Sequence, residues 1–414
     1  MRILLTYVTI GRGGDAVQWL ALAEGFRLEG HAVTLAGANV IRPYSTGTAT
    51  ARLRGIVRRL PWWIRDGIEI VLSGVTVWQA WRAARRHGAD LIVHRATTYD
   101  LVGVALAWLL RVPLVAHLDA HVPVERRYRS ESYWRWLHER AMALLGRHAT
   151  LVVTPSRPVR HYYREVGIPP GKLLVRRNGV FDRHLRLGLE AVRASPPLAR
   201  GPVCVLGFVG SLSDWHRVDL LLDALARLVA MNGTTAYRLV IAGTGREEAH
   251  LKDQAERLGV AHLVEWRGPL SHDRAVATMA ECDIAVLPST LATGAPMKLS
   301  EYAAMGRPII APALPNIRDL FTPGIEAVLV EPGSAAAIAA AVVLLASDPE
   351  AARRIGRAGQ ARVLGCTWEA TARLMVRATL APEGGAADRL DVEAMEGRSA
   401  SCCPGSTSGP SRSS

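Results

Sequence analysis

Long apolar runs are missing from this chain. Its 414 residues contain no eighteen consecutive uncharged apolar positions, which excludes an ordinary membrane-spanning helix. The nearest candidate, Leu101 to Leu118, is broken by Arg111 and Pro113, and reads as a buried helix followed by a strand. Room for a leader is missing too, because Ile3-Leu4-Leu5-Thr6-Tyr7-Val8 opens directly as a strand; the expectation is a cytoplasmic protein. Cysteine is scarce: Cys204, Cys282, Cys366, Cys402 and Cys403 form no metal-ligand spacing with histidine. The first three sit in apolar surroundings and are expected as buried free thiols. Acidic residues are outnumbered, 37 to 50, and the net charge of +13 is almost all arginine. Such a balance suggests an anionic partner: a phosphate-bearing ligand, an acidic membrane or a nucleic acid.

What is present describes a large globular chain. With 49% hydrophobic and 21% charged residues it can bury a sizeable core, and its length predicts two domains. A first βα series opens with strand Ile3–Val8, passes through Gly11-Arg12-Gly13-Gly14 and enters a helix whose apolar face is Trp19, Leu22, Ala23 and Phe26. Gly30 ends that helix as a C′ glycine would, and strands are expected at His31–Leu35, Leu91–His94, Leu114–His117 and Leu151–Thr154. A second series starts at Val203–Val209. Its helix turns Val218, Leu221, Leu222 and Leu225 to one side, and strands follow at Tyr237–Ala242, His262–Trp266, Ile284–Leu287 and Pro308–Ala311. Alternation of this kind predicts an α/β fold: two Rossmann-like units with parallel sheets, the ligand between the carboxyl ends of their strands. Leu189–Pro202, with Ser195-Pro196-Pro197 and Gly201-Pro202, reads as the linker. From Pro382 onward, few large apolar residues remain, and a disordered tail is expected.

Two motifs carry chemistry. Gly11-Arg12-Gly13-Gly14-Asp15-Ala16 fits the G-x-G-x-x-A dinucleotide fingerprint, but Thr34-Leu35-Ala36-Gly37-Ala38 supplies no carboxylate for a ribose. That argues against NAD and for a turn approaching a sugar or phosphate closely, with a purely structural turn as the alternative. The second motif is Thr293-Gly294-Ala295-Pro296-Met297-Lys298-Leu299-Ser300-Glu301, running on to Arg307-Pro308. Small residues before a helix leave backbone N–H groups free to cradle a diphosphate. Lys298 adds positive charge there, and Glu301 can accept two ribose hydroxyls. The plainer reading pairs Lys298 with Glu301 on a helix surface.

Resemblance weighs between these readings. From Met1 to about Ala381 the chain resembles a family 4 glycosyltransferase of the GT-B fold. The likeness rests on Gly30-His31-Ala32-Val33, Val153-Thr154-Pro155-Ser156, Arg177-Asn178-Gly179-Val180-Phe181-Asp182, Phe208-Val209-Gly210-Ser211, Ala242-Gly243-Thr244-Gly245, Pro296–Pro308 and Trp368-Glu369-Ala370-Thr371-Ala372-Arg373, taken in order. The resemblance implies an acceptor unit over residues 1–198, a nucleotide-sugar unit over 199–366, a helix at 367–381 returning to the first unit, and the tail from 382. It also implies retaining transfer from a nucleotide-diphosphate sugar, which is a substrate; no cofactor is needed. No Asp-x-Asp motif occurs, consistent with metal-independent chemistry, in which cation and helix dipole stabilise the leaving diphosphate.

By matching position, Glu301 would bind ribose, while Gly13, Gly14, Gly210, Ser211, His216, Lys298 and the Gly294, Ala295, Pro296 and Met297 segment would surround the diphosphate. Arg267 and Leu270 would line the base pocket. Asp119, with His117 and His121 nearby, would stand close to the reacting sugar. Two departures mark this sequence. The first carboxylate of the family's E-x7-E pair is Thr293 here, and the basic pair of its G-R…K-G segment is Ser211 and His216, for which Lys298 compensates. Outside the motifs, Arg58, Arg59, Trp62 and Trp63 lie in a basic, tryptophan-bearing stretch from Arg52 to Arg65, and Trp78, Trp81, Arg82, Arg85 and Arg86 form another. They suit an anionic bilayer or a lipid-linked acceptor, with a solvated helix face as the alternative. No nucleic acid is expected, since no RNA-recognition motif accompanies them. The expectation is a glycosyltransferase acting on a lipid-linked or glycan acceptor. Its rivals are a nucleotide-sugar 2-epimerase and a non-catalytic binding module.

Overall fold

The computed structural model describes residues 1–8, 14–37, 60–119, 123, 133–198, 203–231, 236–292 and 294–380. The first unit follows the alternation in the sequence: β1 Arg2–Tyr7, α1 Gly14–Leu28, β2 Ala32–Gly37, α2 Trp62–His87, β3 Leu91–Arg95, α3 Val102–Leu110, β4 Leu114–His117, α4 Arg135–His148, β5 Leu151–Thr154, α5 Arg157–Glu165 and β6 Leu173–Val175. Its sheet is parallel, ordered β2-β1-β3-β4-β5-β6. After α6 Asp182–Ala194, the second unit repeats the plan with β7 Val203–Val209, α7 Val218–Ala230, β8 Ala236–Ala242, α8 Glu248–Arg257, β9 Val264–Gly268, α9 His272–Glu281, β10 Ile284–Val286, α10 Met297–Ala304, β11 Ile309–Pro312, α11 Pro315–Leu320 and β12 Val328–Val330. This sheet is also parallel, in the order β12-β11-β10-β7-β8-β9. Helices α12 Ala335–Ser347, α13 Pro349–Val363 and α14 Trp368–Leu380 complete the described chain.

The apolar faces read from the sequence are the buried ones. Trp19, Leu22, Ala23 and Phe26 of α1 are at most 1% exposed, and Val218, Leu221, Leu222 and Leu225 of α7 at most 2%. The fold is thus two parallel α/β sheets, each covered by helices on both faces as parallel sheets require. Helix α14 reaches back to the first unit: Trp368, Ala372, Met375 and Val376 join Trp19, Leu22 and Phe26 in one apolar cluster. The approach is close enough that a Cβ on Gly25 would lie 2.6 Å from the Trp368 carbonyl oxygen.

Three local expectations need correction. Residues Leu189–Ala194 are helix, not linker, because α6 is packed against α9 and α10. Helix α3 is not fully buried: Val102 and Leu106 face inward, but Trp108 is 79% exposed. Cys204 and Cys282 are buried free thiols, whereas Cys366 is only half-buried. The tail from Pro382 lies outside the described residues. Among the described residues no single helix is long and apolar enough to cross a membrane.

Candidate functional site

Loops from four strands meet at the carboxyl ends of the second sheet. Gly210 N–H donates to the Ala242 carbonyl at 2.9 Å, and Gly243 N–H to the Gly268 carbonyl at 2.8 Å. A Cβ on Gly243 would fall 1.9 Å from the Gly210 carbonyl oxygen, and its φ is +135°. Only glycine lets the turns after β7 and β8 close together in this way.

Into this junction points the N-terminus of α10. Pro296 precedes it, no side chain caps it among the described residues, and its first turn holds no acidic residue. Its N–H groups and dipole are left for an anion. The loop before it is pinned from two directions. Asn316 Nδ2 donates to the carbonyls of Leu291 at 2.9 Å and Gly294 at 2.5 Å, and Asn178 Nδ2 donates to the Ala295 carbonyl at 2.6 Å. Beneath the helix, the buried Tyr302 hydroxyl accepts from Val209 N–H and donates to its carbonyl, both at 2.9 Å. Met297 packs against the core of the first unit.

Two basic side chains flank this helix terminus. His216 Nδ1 donates to the Ser211 carbonyl at 2.7 Å, which leaves Nε2 to accept from Lys298 Nζ at 2.8 Å. Burial pulls the Lys298 ammonium down to about 7, against the opposing pull of Glu301. Burial and then the Lys298 charge push His216 down to about 3, so the imidazole is neutral and any positive charge on the pair sits on Lys298. One turn on, Glu301 Oε1 accepts from His272 Nε2 at 2.6 Å.

On the first unit, Asp119 follows β4 and is 14% exposed. Arg95 Nε donates to Oδ2 at 2.8 Å and Gln18 Nε2 to Oδ1 at 3.0 Å. His117 Nδ1 stands 2.6 Å from Oδ1, near enough to pair but out of line for a hydrogen bond. Burial raises the Asp119 carboxyl, yet His117 and Arg95 together outweigh it and hold the group well below the usual carboxylate range. Asp119 is therefore a fixed anion, suited to orienting a hydroxyl or facing positive charge rather than to taking a proton at neutral pH. Gln18 Nε2 also donates to Asn178 Oδ1 at 2.8 Å. A chain of side chains thus runs from Asp119 through Gln18 and Asn178 to the Ala295 carbonyl, joining the two units across the cleft.

The structure brings Gly210, Ser211, His216, Gly294, Ala295, Pro296, Met297, Lys298 and Glu301 to one place, and sets His117 beside Asp119. Gly14 starts α1. Gly13, His121, Thr293, Arg58 and Arg59 lie outside the described residues. Arg267 is held in ion pairs, 2.8 Å from Glu265 and 2.5 Å from Glu281, and Leu270 is half-buried just before α9. Trp62 is committed to packing, 5.4 Å from the Trp134 ring, whereas Trp63 is 53% exposed. Sequence reasoning missed Gln18, Arg95 and His272, and gave Asn178 no role. Gln18 sits among apolar helix positions and His272 among ordinary polar ones at a helix start, and neither has a motif of its own. The ligand atoms of His184, His272 and Asp273 lie within 4.8 Å of one another, but both histidines already bond to carboxylates, His184 to Asp273 at 2.7 Å.

A helix N-terminus with an adjacent half-buried lysine, a carboxylate one turn on, and a second Rossmann-like unit facing them are features that the donor side of a sugar transferase would need. Comparison with known proteins agrees. Residues 12–182 match the family model described as Glycosyltransferase Family 4, and residues 203–348 the one described as Glycosyl transferases group 1. The chain belongs to glycosyltransferase family 4, whose donors are nucleotide sugars. It is 28% identical over 328 residues to glycogen synthase of Mycobacterium tuberculosis, covering 78% of this chain and 74% of that one. It is 31% identical over 237 residues to D-inositol 3-phosphate glycosyltransferase of Geodermatophilus obscurus, covering 55% and 51%. Among solved structures, Anabaena HepE in complex with UDP superimposes with a TM-score of 0.66 at 21% identity, over 92% of this chain and 99% of that one.

Proposed function

We propose that this glycosyltransferase is retaining and metal-independent, takes its sugar from a uridine-type donor, and serves a lipid-linked or glycan acceptor at an anionic membrane face. The observation that carries the donor side is the convergence of the uncapped α10 N-terminus, Lys298 and Glu301 within one turn of helix. In this reading the α10 amides and Lys298 hold the diphosphate and stabilise it as it leaves, with His216 keeping Lys298 in place. Glu301 takes the ribose hydroxyls, and Asp119 orients the sugar or the incoming hydroxyl from the opposite unit. The N-terminal unit, up to the crossing at Asn178–Asp182, would present the acceptor. HepE was solved with UDP, with UDP and glucose, and with UDP-glucose, which makes uridine the base to try first. The relatives' names give different acceptors, glycogen synthesis in one and D-inositol 3-phosphate in another, so the acceptor is argued from this chain's surface. That surface carries exposed Trp63, Trp78, Trp81, Trp108 and Trp136, three of them beside arginine.

The test is calorimetric binding of UDP, GDP, ADP and dTDP to the wild-type chain and to Glu301→Gln, followed by release of nucleotide from the matching sugar donor. One nucleotide should bind clearly and lose about tenfold in affinity in the variant, the scale of a charge-assisted hydrogen bond. Binding with no turnover of any donor would point instead to a non-catalytic module.

A further inference from the structure

The carboxylate assigned to the ribose does not stand alone. His272, the first residue of α9, donates from Nε2 to Glu301 Oε1 at 2.6 Å, with the two side chains 20% and 13% exposed. The second carboxylate oxygen carries no hydrogen bond recorded among the described residues. We propose that His272 is a positioning residue for the donor: it pins one oxygen of Glu301 and leaves the other to accept the ribose hydroxyls. This rests on the reading of Glu301 as the ribose ligand. A glutamate on an open helix turn rotates about three bonds, and fixing it beforehand removes an ordering cost from nucleotide binding.

The surroundings make the pairing depend on a proton. Facing His272 are Glu301 from α10, Asp273 from its own helix, and His184 and Arg183 from α6, with the His184 ring 5.2 Å away and Phe181 6.2 Å away. Burial pulls the imidazole down, but Glu301 and Asp273 outweigh burial and the opposing Arg183, so it stands above its ordinary 6.5. The charged pair is complete below that value and is lost as pH rises through the raised one. The ribose contribution to binding should weaken over that span.

The experiment measures the affinities of UDP, GDP and ADP and of their 2′,3′-dideoxy counterparts, between pH 6 and 9 (on the order of the window set by histidine titration). The ratio of ribo to dideoxy affinity isolates the Glu301 contact, because the diphosphate is common to both. In the wild type that ratio should fall as pH rises. His272→Leu should lower ribonucleotide affinity about tenfold and leave the dideoxy compounds within about twofold. His272→Gln, which keeps a neutral donor, should restore binding only to the level the wild type keeps at high pH and flatten the pH dependence of the ratio. If His272→Leu melts early, the His272→Gln pH profile decides alone. Equal losses for ribo and dideoxy nucleotides, or an unchanged pH profile in His272→Gln, overturn the proposal. A ratio that Glu301→Gln leaves untouched, or no nucleotide binding by the wild type, sinks the ribose reading itself and this proposal with it.

Discussion

At the scale of single residues, the proposed donor site turns on Lys298, a half-buried lysine with no bonded carboxylate among the described residues. Its Nζ donates to a neutral imidazole and lies 5.0 Å from the Phe208 ring. With burial holding it near 7, the empty site is only partly charged at neutral pH and mostly neutral above it. An arriving diphosphate supplies the missing counter-charge and draws a proton back onto Nζ. The sign follows directly: below about 7 the cation is already present, and above it each binding event must take up a proton. Isothermal titration of nucleoside diphosphate at pH 8, in buffers of different ionisation enthalpy, should therefore register uptake approaching one proton (the limit for one group of that pKa). Lys298→Met should abolish most of the uptake and weaken binding of ribo and dideoxy nucleotides alike. Uptake that persists unchanged in Lys298→Met would assign the proton elsewhere.

Among the elements, α2 is the least like its neighbours. Its buried positions are few, Asp66, Thr76, Ala80 and Ala84, while Ile68, Val71, Val75 and Trp78 are exposed at spacings of three and four, and exposed Arg82 and Arg85 continue the same stripe. Apolar and aromatic groups ending in arginine suit the boundary of an anionic bilayer. In liposome flotation, Trp78→Ala with Trp81→Ala should lower retention on anionic vesicles by about tenfold, with neutral vesicles binding little of either protein. Equal flotation of variant and wild type would remove α2 as the membrane face. The arginine and tryptophan here were legible in the sequence, but which tryptophan packs and which faces out was not. Trp62 lies against Trp134 some seventy positions later, and such a contact leaves no periodic trace. For the same reason the strands with strong apolar runs, such as Val203–Val209, were readable to the residue. The three-residue strands Leu173–Val175 and Val328–Val330 were not: their order comes from neighbouring strands rather than their own pattern. The proposed donor motif was found because it is local, with Lys298 and Glu301 on one helix. The Asp119–Gln18–Asn178 chain was invisible, since it is assembled from three distant segments.

For the whole molecule, the question is whether two separately cored sheets behave as one body. The chain crosses between them twice, at Asn178–Asp182 and at Cys366–Trp368, and the two crossings are bonded to each other. Val180 N–H donates to the Cys366 carbonyl at 2.9 Å, and Trp368 N–H to the Val180 carbonyl at 3.1 Å. Trp368 is 2% exposed and fills the space that Gly25 and Gly179 leave open. Around this knot, Arg183 lies 2.7 Å from Glu24 of the first unit and 3.3 Å from Asp273 of the second. These exposed ion pairs add little to stability, which leaves the tryptophan and the Asn178–Ala295 bond as the stronger links at this crossing. Removing the indole leaves a cavity at the crossing worth about 3–5 kcal/mol, while each sheet keeps its own core. Trp368→Ala should therefore turn a single calorimetric unfolding transition into two, with the first unit, which loses the α14 contact, melting earlier. A nucleoside diphosphate added to that variant should raise the later transition more than the earlier one, because the contacts proposed for it lie on the second unit. A variant that still melts in one transition, merely shifted down, would mean that the two units are welded by contacts other than this crossing.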